Sequence, residues 1–159
     1  YSLDEQVLRK SFEINFYAHQ KITSSVVQLM KKQNTGGSIM FNISKQAINP
    51  GKNFGPYGLP KSSTLFLMKQ YALECGEFGI RVNGINPDRI QSGILTNDLI
   101  KQRAKARDVS KEKYLSNNLL QKEVYPEDVA EAFFVQFLLK KTTGNIITVD
   151  GGNIEASLR

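Results

Sequence analysis

Three short apolar runs limit what this chain can become: residues 38–43 (SIMFNI), 80–85 (IRVNGI) and 145–149 (NIITV). Each has the length of a strand, and the first, after a glycine pair, reads as a buried one. Between the first two lie a Pro- and Gly-containing loop, 45–56, and a helical stretch over 57–75, with Pro60 in its first turn and Gly76 and Gly79 closing it. A strand, a crossover helix and a second strand predict parallel, adjacent, right-handed pairing. A helix over 3–33 precedes the first strand. Ser2 and Glu5 read as its capping box, Leu8, Phe12, Ile14, Phe16, Tyr17, Ile22, Val26, Val27 and Met30 as a broad apolar surface, and residues 34–37 as its stop. Pro126, Glu127 and Asp128 open a further helix to about residue 139. The order gives an α/β fold with a parallel sheet of about three strands and three main helices. Residues 88–122 are polar and weakly periodic, and an excursion of that length predicts a lid or substrate loop. A three-stranded sheet keeps an unsatisfied edge. The chain also opens on a helix with no strand for it to follow, the pattern of the second half of a larger domain.

Size and charge exclude several classes. The 159 residues suit one domain, 1–159, with a real core. No apolar run approaches the roughly 20 residues that span a bilayer, and no basic-then-apolar leader is present, so no membrane role is expected. Cys75 is the single cysteine, which rules out an internal disulfide and fits a reducing, cytoplasmic setting. With one histidine, His19, beside one cysteine, a zinc site of the usual kind is not expected. His19 reads as a packing or interface residue. Net charge is +6, but the lysines and arginines are scattered without a run of five, so a solvated basic surface is expected and no nucleic-acid partner.

The residues that carry chemistry stand around the second helix. Ser44 lies 13 positions before Tyr57, and Tyr57 and Lys61 are four apart. On a helix that spacing places phenol and ammonium on one face. A cation beside a phenol favours phenolate, so the spacing predicts a tyrosine below its ordinary value of about 10, able to exchange protons near neutrality. Ser44 also has a plain reading, satisfying backbone groups at a strand end. Asn15 is a poor helix former inside the first helix, which asks for a structural or catalytic reason.

With those residues in view, the chain resembles the C-terminal half of a short-chain dehydrogenase/reductase, a Rossmann-type oxidoreductase. Asn15, Ser44, and Tyr57 with Lys61 fall at the family's catalytic asparagine, serine and Y-x-x-x-K. Residues 81–83 and 86–87 resemble the strand entering its nicotinamide loop, and 143–144 and 149–152 resemble its closing strand. Segments 42–47, 58–61, 86–88 and 150–154 are further similar to the dehydrogenase part of bifunctional rhamnulose-1-phosphate aldolase/alcohol dehydrogenases. Asp88 departs from the wider family, which has Gly after that Pro, as Pro60 and Lys45 depart from its usual Ser and small residue. The family's glycine-rich phosphate loop, ribose-binding residue and adenine strands all fall before residue 1.

The resemblance implies NAD or NADP as cofactor and a small alcohol or aldehyde, such as lactaldehyde, as substrate. Tyr57 would exchange the proton with the substrate oxygen. Ser44 would hold that oxygen. Lys61 would lower the tyrosine and bind the nicotinamide ribose. Asn15 would position a water linking Lys61 to solvent. Pro87, Asp88, Ile90 and Ser92, with Tyr57 and Lys61, would border the nicotinamide. It also implies a homodimer or tetramer paired through helices 3–33 and 57–75. The competing expectation is a non-catalytic dimerisation module without the phosphate-binding half.

Overall fold

The computed structural model describes residues 3–93 and 95–153. Its first helix, α1 (Glu5–Phe12), starts on Asp4, whose carboxylate accepts a hydrogen bond from the Val7 N–H at 2.9 Å. The expected cap Ser2 lies outside the described residues, so the capping role belongs to Asp4. The predicted single helix is interrupted. A π-helical segment, Glu13–Tyr17, separates α1 from α2 (Ala18–Gln33), because an asparagine in mid-helix hydrogen-bonds its own neighbours and admits an extra residue into the turn.

Asn34 ends α2 in the left-handed conformation at φ 53°, and Gly36 follows at φ 68°. A Cβ on Gly36 would sit 2.7 Å from the Gly79 carbonyl oxygen, so the chain enters β1 (Gly37–Asn42) through a gap that only glycine fits. The long helix α3 (Gly55–Cys75) then crosses to β2 (Ile80–Pro87), which pairs in parallel with β1, Phe41 opposite Gly84. The last strand, β3 (Ile146–Val149), pairs in parallel with the far side of β2. The sheet order is β1-β2-β3: the first two strands are adjacent and parallel as predicted, and β3 takes the place beyond β2.

Val27 of α2, Phe41, Ile43, Ile80 and Val82 of the sheet region, and Met68, Ala72 and Cys75 of α3 form the main core. Burying such side chains supplies about 25 cal/mol per Å² of apolar surface. Asn83 is fully buried in β2 and braces the turn into β3, donating to the Thr142 carbonyl and accepting from the Asn145 N–H, both at 3.0 Å. A helix, α6 (Pro126–Leu138), precedes that turn, with Asp128 accepting from the Tyr125 N–H at 2.7 Å.

The excursion after β2 holds two short helices, α4 (Asn97–Lys105) and α5 (Lys111–Leu115), around a small core of Leu95, Ile100, Ala104, Tyr114 and Leu115. It is tied down at both ends. Arg89 donates to the carbonyls of Tyr114 and Asn117 at 3.2 Å, and the Leu119 and Leu120 amides donate to the carbonyls of Gly152 and Gly151. Among the described residues, no helix is long and apolar enough to cross a membrane.

Candidate active site

The parallel sheet aims the carboxyl ends of β1 and β2 at one place, where α/β sheets open a crevice for ligands. A cavity of about 510 Å³ lies there. Its wall includes Asn42, Ser44, Tyr57, Pro87, Asp88, Ile90 and Ser92. The excursion covers it with Leu95, Leu99 and Arg103, and α6 contributes Pro126 and Val129. Six of the sequence-selected residues therefore share one cavity.

Ser44 leaves β1 in extended conformation and caps the short turn Lys45–Ala47, its hydroxyl accepting from the Gln46 N–H at 3.3 Å. The same hydroxyl lines the cavity with the Tyr57 phenol and favours its ionised form. Tyr57 sits in the first turn of α3, held by a bond from its N–H to the Phe54 carbonyl at 3.0 Å.

Lys61 lies one turn on and is buried behind the cavity wall. Its ammonium is 5.8 Å from the Tyr57 ring centroid and donates to the Asn42 carbonyl at 3.0 Å. Here the expected electrostatics need correction. The Tyr57 phenol is pushed above its ordinary 10, not below, because burial outweighs the opposing influence of Ser44. Lys61 is itself pushed down by burial, so the pair shares a face without the cation acidifying the phenol. His19 is also pushed down, by burial first and by the Lys61 charge second. Its ring stacks on Phe41 at 6.4 Å and borders a second cavity beside β1, which supports the packing reading.

Asn15 stands apart from the cavity wall. Its amide donates to the Ser11 carbonyl and hydroxyl at 3.2 Å, and its carbonyl, in the π segment, accepts from the Thr64 hydroxyl. Asp88, the departure from glycine, turns into a polar knot: Lys45 and Arg89 approach its Oδ2 at 3.5 and 3.6 Å, and the Asn153 amide donates to the same oxygen. It borders the cavity without filling it.

These residues fit a nicotinamide nucleotide. Lys61 spends one of its three N–H donors on Asn42, and among the described residues its buried ammonium keeps donors for hydroxyl acceptors. The loop from Pro87 to Ser92 faces Tyr57 and Ser44 across a space of suitable size. Sequence reasoning missed Phe54 and Arg103. The first lay in an irregular loop and the second in a stretch with no clear period, and only the folded chain brings them beside Tyr57.

The family model described as Enoyl-(Acyl carrier protein) reductase matches residues 1–153. This chain belongs to the short-chain dehydrogenase/reductase family. It is 42% identical over 131 residues to the uncharacterized oxidoreductase YuxG of Bacillus subtilis, covering 77% of this chain and 19% of that protein. To dehydrogenase/reductase SDR family member 4 of Homo sapiens it is 32% identical over 153 residues, covering 93% of this chain and 51% of that one. The chain thus spans between a fifth and about half of these relatives. The fold of this short-chain dehydrogenase/reductase matches an L-sorbose reductase from Gluconobacter frateurii, solved with NADPH and L-sorbose, at TM-score 0.82 and 23% identity, over 96% of this chain and 60% of that one.

Proposed function

We propose that this chain forms the nicotinamide- and substrate-facing half of an NAD(P)-dependent dehydrogenase that interconverts a small alcohol and its aldehyde or ketone, lactaldehyde among the candidates. The observation that carries the reading is the pair of hydroxyls, Ser44 and Tyr57, lining one cavity together with the Lys61 ammonium buried behind them. A bound nicotinamide would supply or accept the hydride. Tyr57, Lys61, Pro87, Asp88, Ile90 and Ser92 would hold it.

Tyr57 carries the proton. In the neutral form that burial favours, it is an acid that donates to a carbonyl oxygen. Ser44 orients that oxygen through the hydroxyl that lines the cavity with the phenol. Lys61, with donors to spare, binds sugar hydroxyls and keeps a positive charge near the reacting oxygen. Asn15 would position a water that links Lys61 to solvent. This chain covers only 19% of YuxG, and the proposal includes a dehydrogenase joined to a further domain in the aldolase-linked arrangement. Full-length coding sequence tests that directly: an aldolase ahead of the dehydrogenase is expected, and a lone dehydrogenase would remove the fusion.

Turnover of Tyr57→Phe in the longest natural polypeptide containing this chain tests the chemistry. NAD(P)-linked reduction of small aldehydes should fall by about a thousandfold or more with the fold intact, the scale expected for losing a general acid. Unchanged turnover would sink the assignment. A second reading, an assembly module without catalysis, is favoured by the apolar side chains Ile14, Tyr17, Ile22, Phe66 and Leu73 that α1–α3 leave exposed.

A further inference from the structure

Charge around the Tyr57 cavity is one-sided. Asp88, Arg89 and Arg103 line it, and Lys45 lies against Asp88. The single carboxylate is already engaged by Lys45, Arg89 and Asn153. Arg89 is committed to the carbonyls of Tyr114 and Asn117. Arg103 is different. It projects from α4, half-buried, and its guanidinium carbon lies 4.1 Å from the Phe54 ring centroid. No ion pair and no hydrogen bond from its guanidinium occurs among the described residues.

A guanidinium stacked on an aromatic ring has one face packed and its N–H edge open, and it is held in one orientation at little entropic cost. That edge is matched by a carboxylate or a phosphate, which accept two parallel hydrogen bonds from it. Phe54 is also the residue whose carbonyl anchors the Tyr57 N–H, so the stack fixes Arg103 relative to the phenol. The excursion that carries Arg103 is tied to the strand ends by Arg89 and by Leu119 and Leu120, which keeps the guanidinium over the cavity.

We propose that Arg103 binds an oxyanion on the substrate, so that this site acts on small carbonyl or hydroxy compounds bearing a carboxylate or a phosphate. The proposal rests on the reading of the Tyr57 site given above and narrows it: a neutral aldehyde would leave the Arg103 guanidinium, uncommitted among the described residues, without a partner.

The test uses the longest natural polypeptide containing this chain, as wild type, R103Q and R103K, with carbonyl compounds paired to differ in charge: acetoacetate with acetoacetamide, and dihydroxyacetone phosphate with dihydroxyacetone. In thermal melts, the charged member of one pair should raise Tm above its neutral partner, and R103Q should abolish the difference. In turnover with NADH or NADPH, that charged member should exceed its partner in kcat/KM. R103Q should cut the advantage by about tenfold to a hundredfold through KM, the scale of a hydrogen-bonded charge pair. R103K, a point charge without the fork, should keep only part of it. The responding pair tells carboxylate from phosphate.

Equal or better handling of the neutral members by wild type, an advantage untouched in R103Q, or an R103Q defect confined to the KM of the dinucleotide would each overturn the assignment. Absence of all turnover, with the charged ligand still stabilising wild type and not R103Q, would uphold the anion site and defeat the oxidoreductase reading.

Discussion

At Tyr57 two environments oppose each other. Burial disfavours the phenolate, and the Ser44 hydroxyl favours it. Because the folded value lies above 10, the neutral phenol dominates through the physiological range. Carbonyl reduction, which needs the acid, should therefore hold steady at neutral pH and decline only as pH rises through the tyrosine's value, whereas alcohol oxidation should climb in alkali. Ser44→Ala removes the lowering influence and leaves burial alone, so the alkaline midpoint of the oxidation profile should move further up. A pH–rate profile of kcat/KM checks this, and a downward or absent shift would show that Ser44 does not tune the phenol. The spacing of Ser44, Tyr57 and Lys61 was legible because helical geometry fixes which side chains share a face. The direction of the tyrosine's shift was not, because spacing says nothing about how deeply a phenol sinks or which carbonyl a lysine finds. Asn42 takes the Lys61 ammonium, and a backbone carbonyl leaves no trace in a sequence.

Among the elements, the junction between the first helix and α3 depends on one hydroxyl. Thr64 is fully buried, and its oxygen faces two carbonyls, Asn15 in the π segment and Pro60 a turn earlier in its own helix, the latter at 2.9 Å. The Asn15 carbonyl lies in the π segment, and Thr64 donates to it from α3. Thr64→Val keeps the shape and deletes the donor, leaving the half-buried Asn15 carbonyl without it. It should cost about 1–3 kcal/mol, read as a lower denaturation midpoint with unchanged slope. No loss would mean that water reaches Asn15 and replaces the hydroxyl. Strand and helix existence followed from the apolar runs and from the glycines that bound them. The break at residues 13–17 did not, since Asn15 announced only that something unusual was present, and the partner that makes the break tolerable stands 49 positions away.

Over the whole molecule, apolar surface is left over in more than one place, on α6 at Phe134 and Leu138 and on the helices that precede and follow β1. Phe66 and Leu73 of α3 are 69% and 79% exposed, and Ile14 and Ile22 on the preceding helix are 58% and 66% exposed. Met68, Ala72 and Cys75 of α3 point into the core, so the exposed pair belongs to the opposite face of the same helix. A helix apolar on two faces buries both, one against its own sheet and one against a partner. A second copy is the partner expected from closed symmetry, with α3 meeting its equivalent across a two-fold axis and the first helix flanking it. Replacing Phe66 and Leu73 together by glutamate removes apolar contact from the middle of that surface and brings like charges together across the axis. By area alone the double change should weaken association by about 2–4 kcal/mol, roughly two orders of magnitude or more in Kd. Sedimentation equilibrium at micromolar concentration would then find dimers or larger species for the wild type and a monomer for the double variant. Circular dichroism should be unchanged, because neither side chain touches the core. A wild type that sediments as a monomer, or a double variant that still pairs, would assign this face to some other contact. Either result would also bear on the assembly reading, since a chain that pairs through α3 while failing to turn over any alcohol or carbonyl compound would be an assembly module after all.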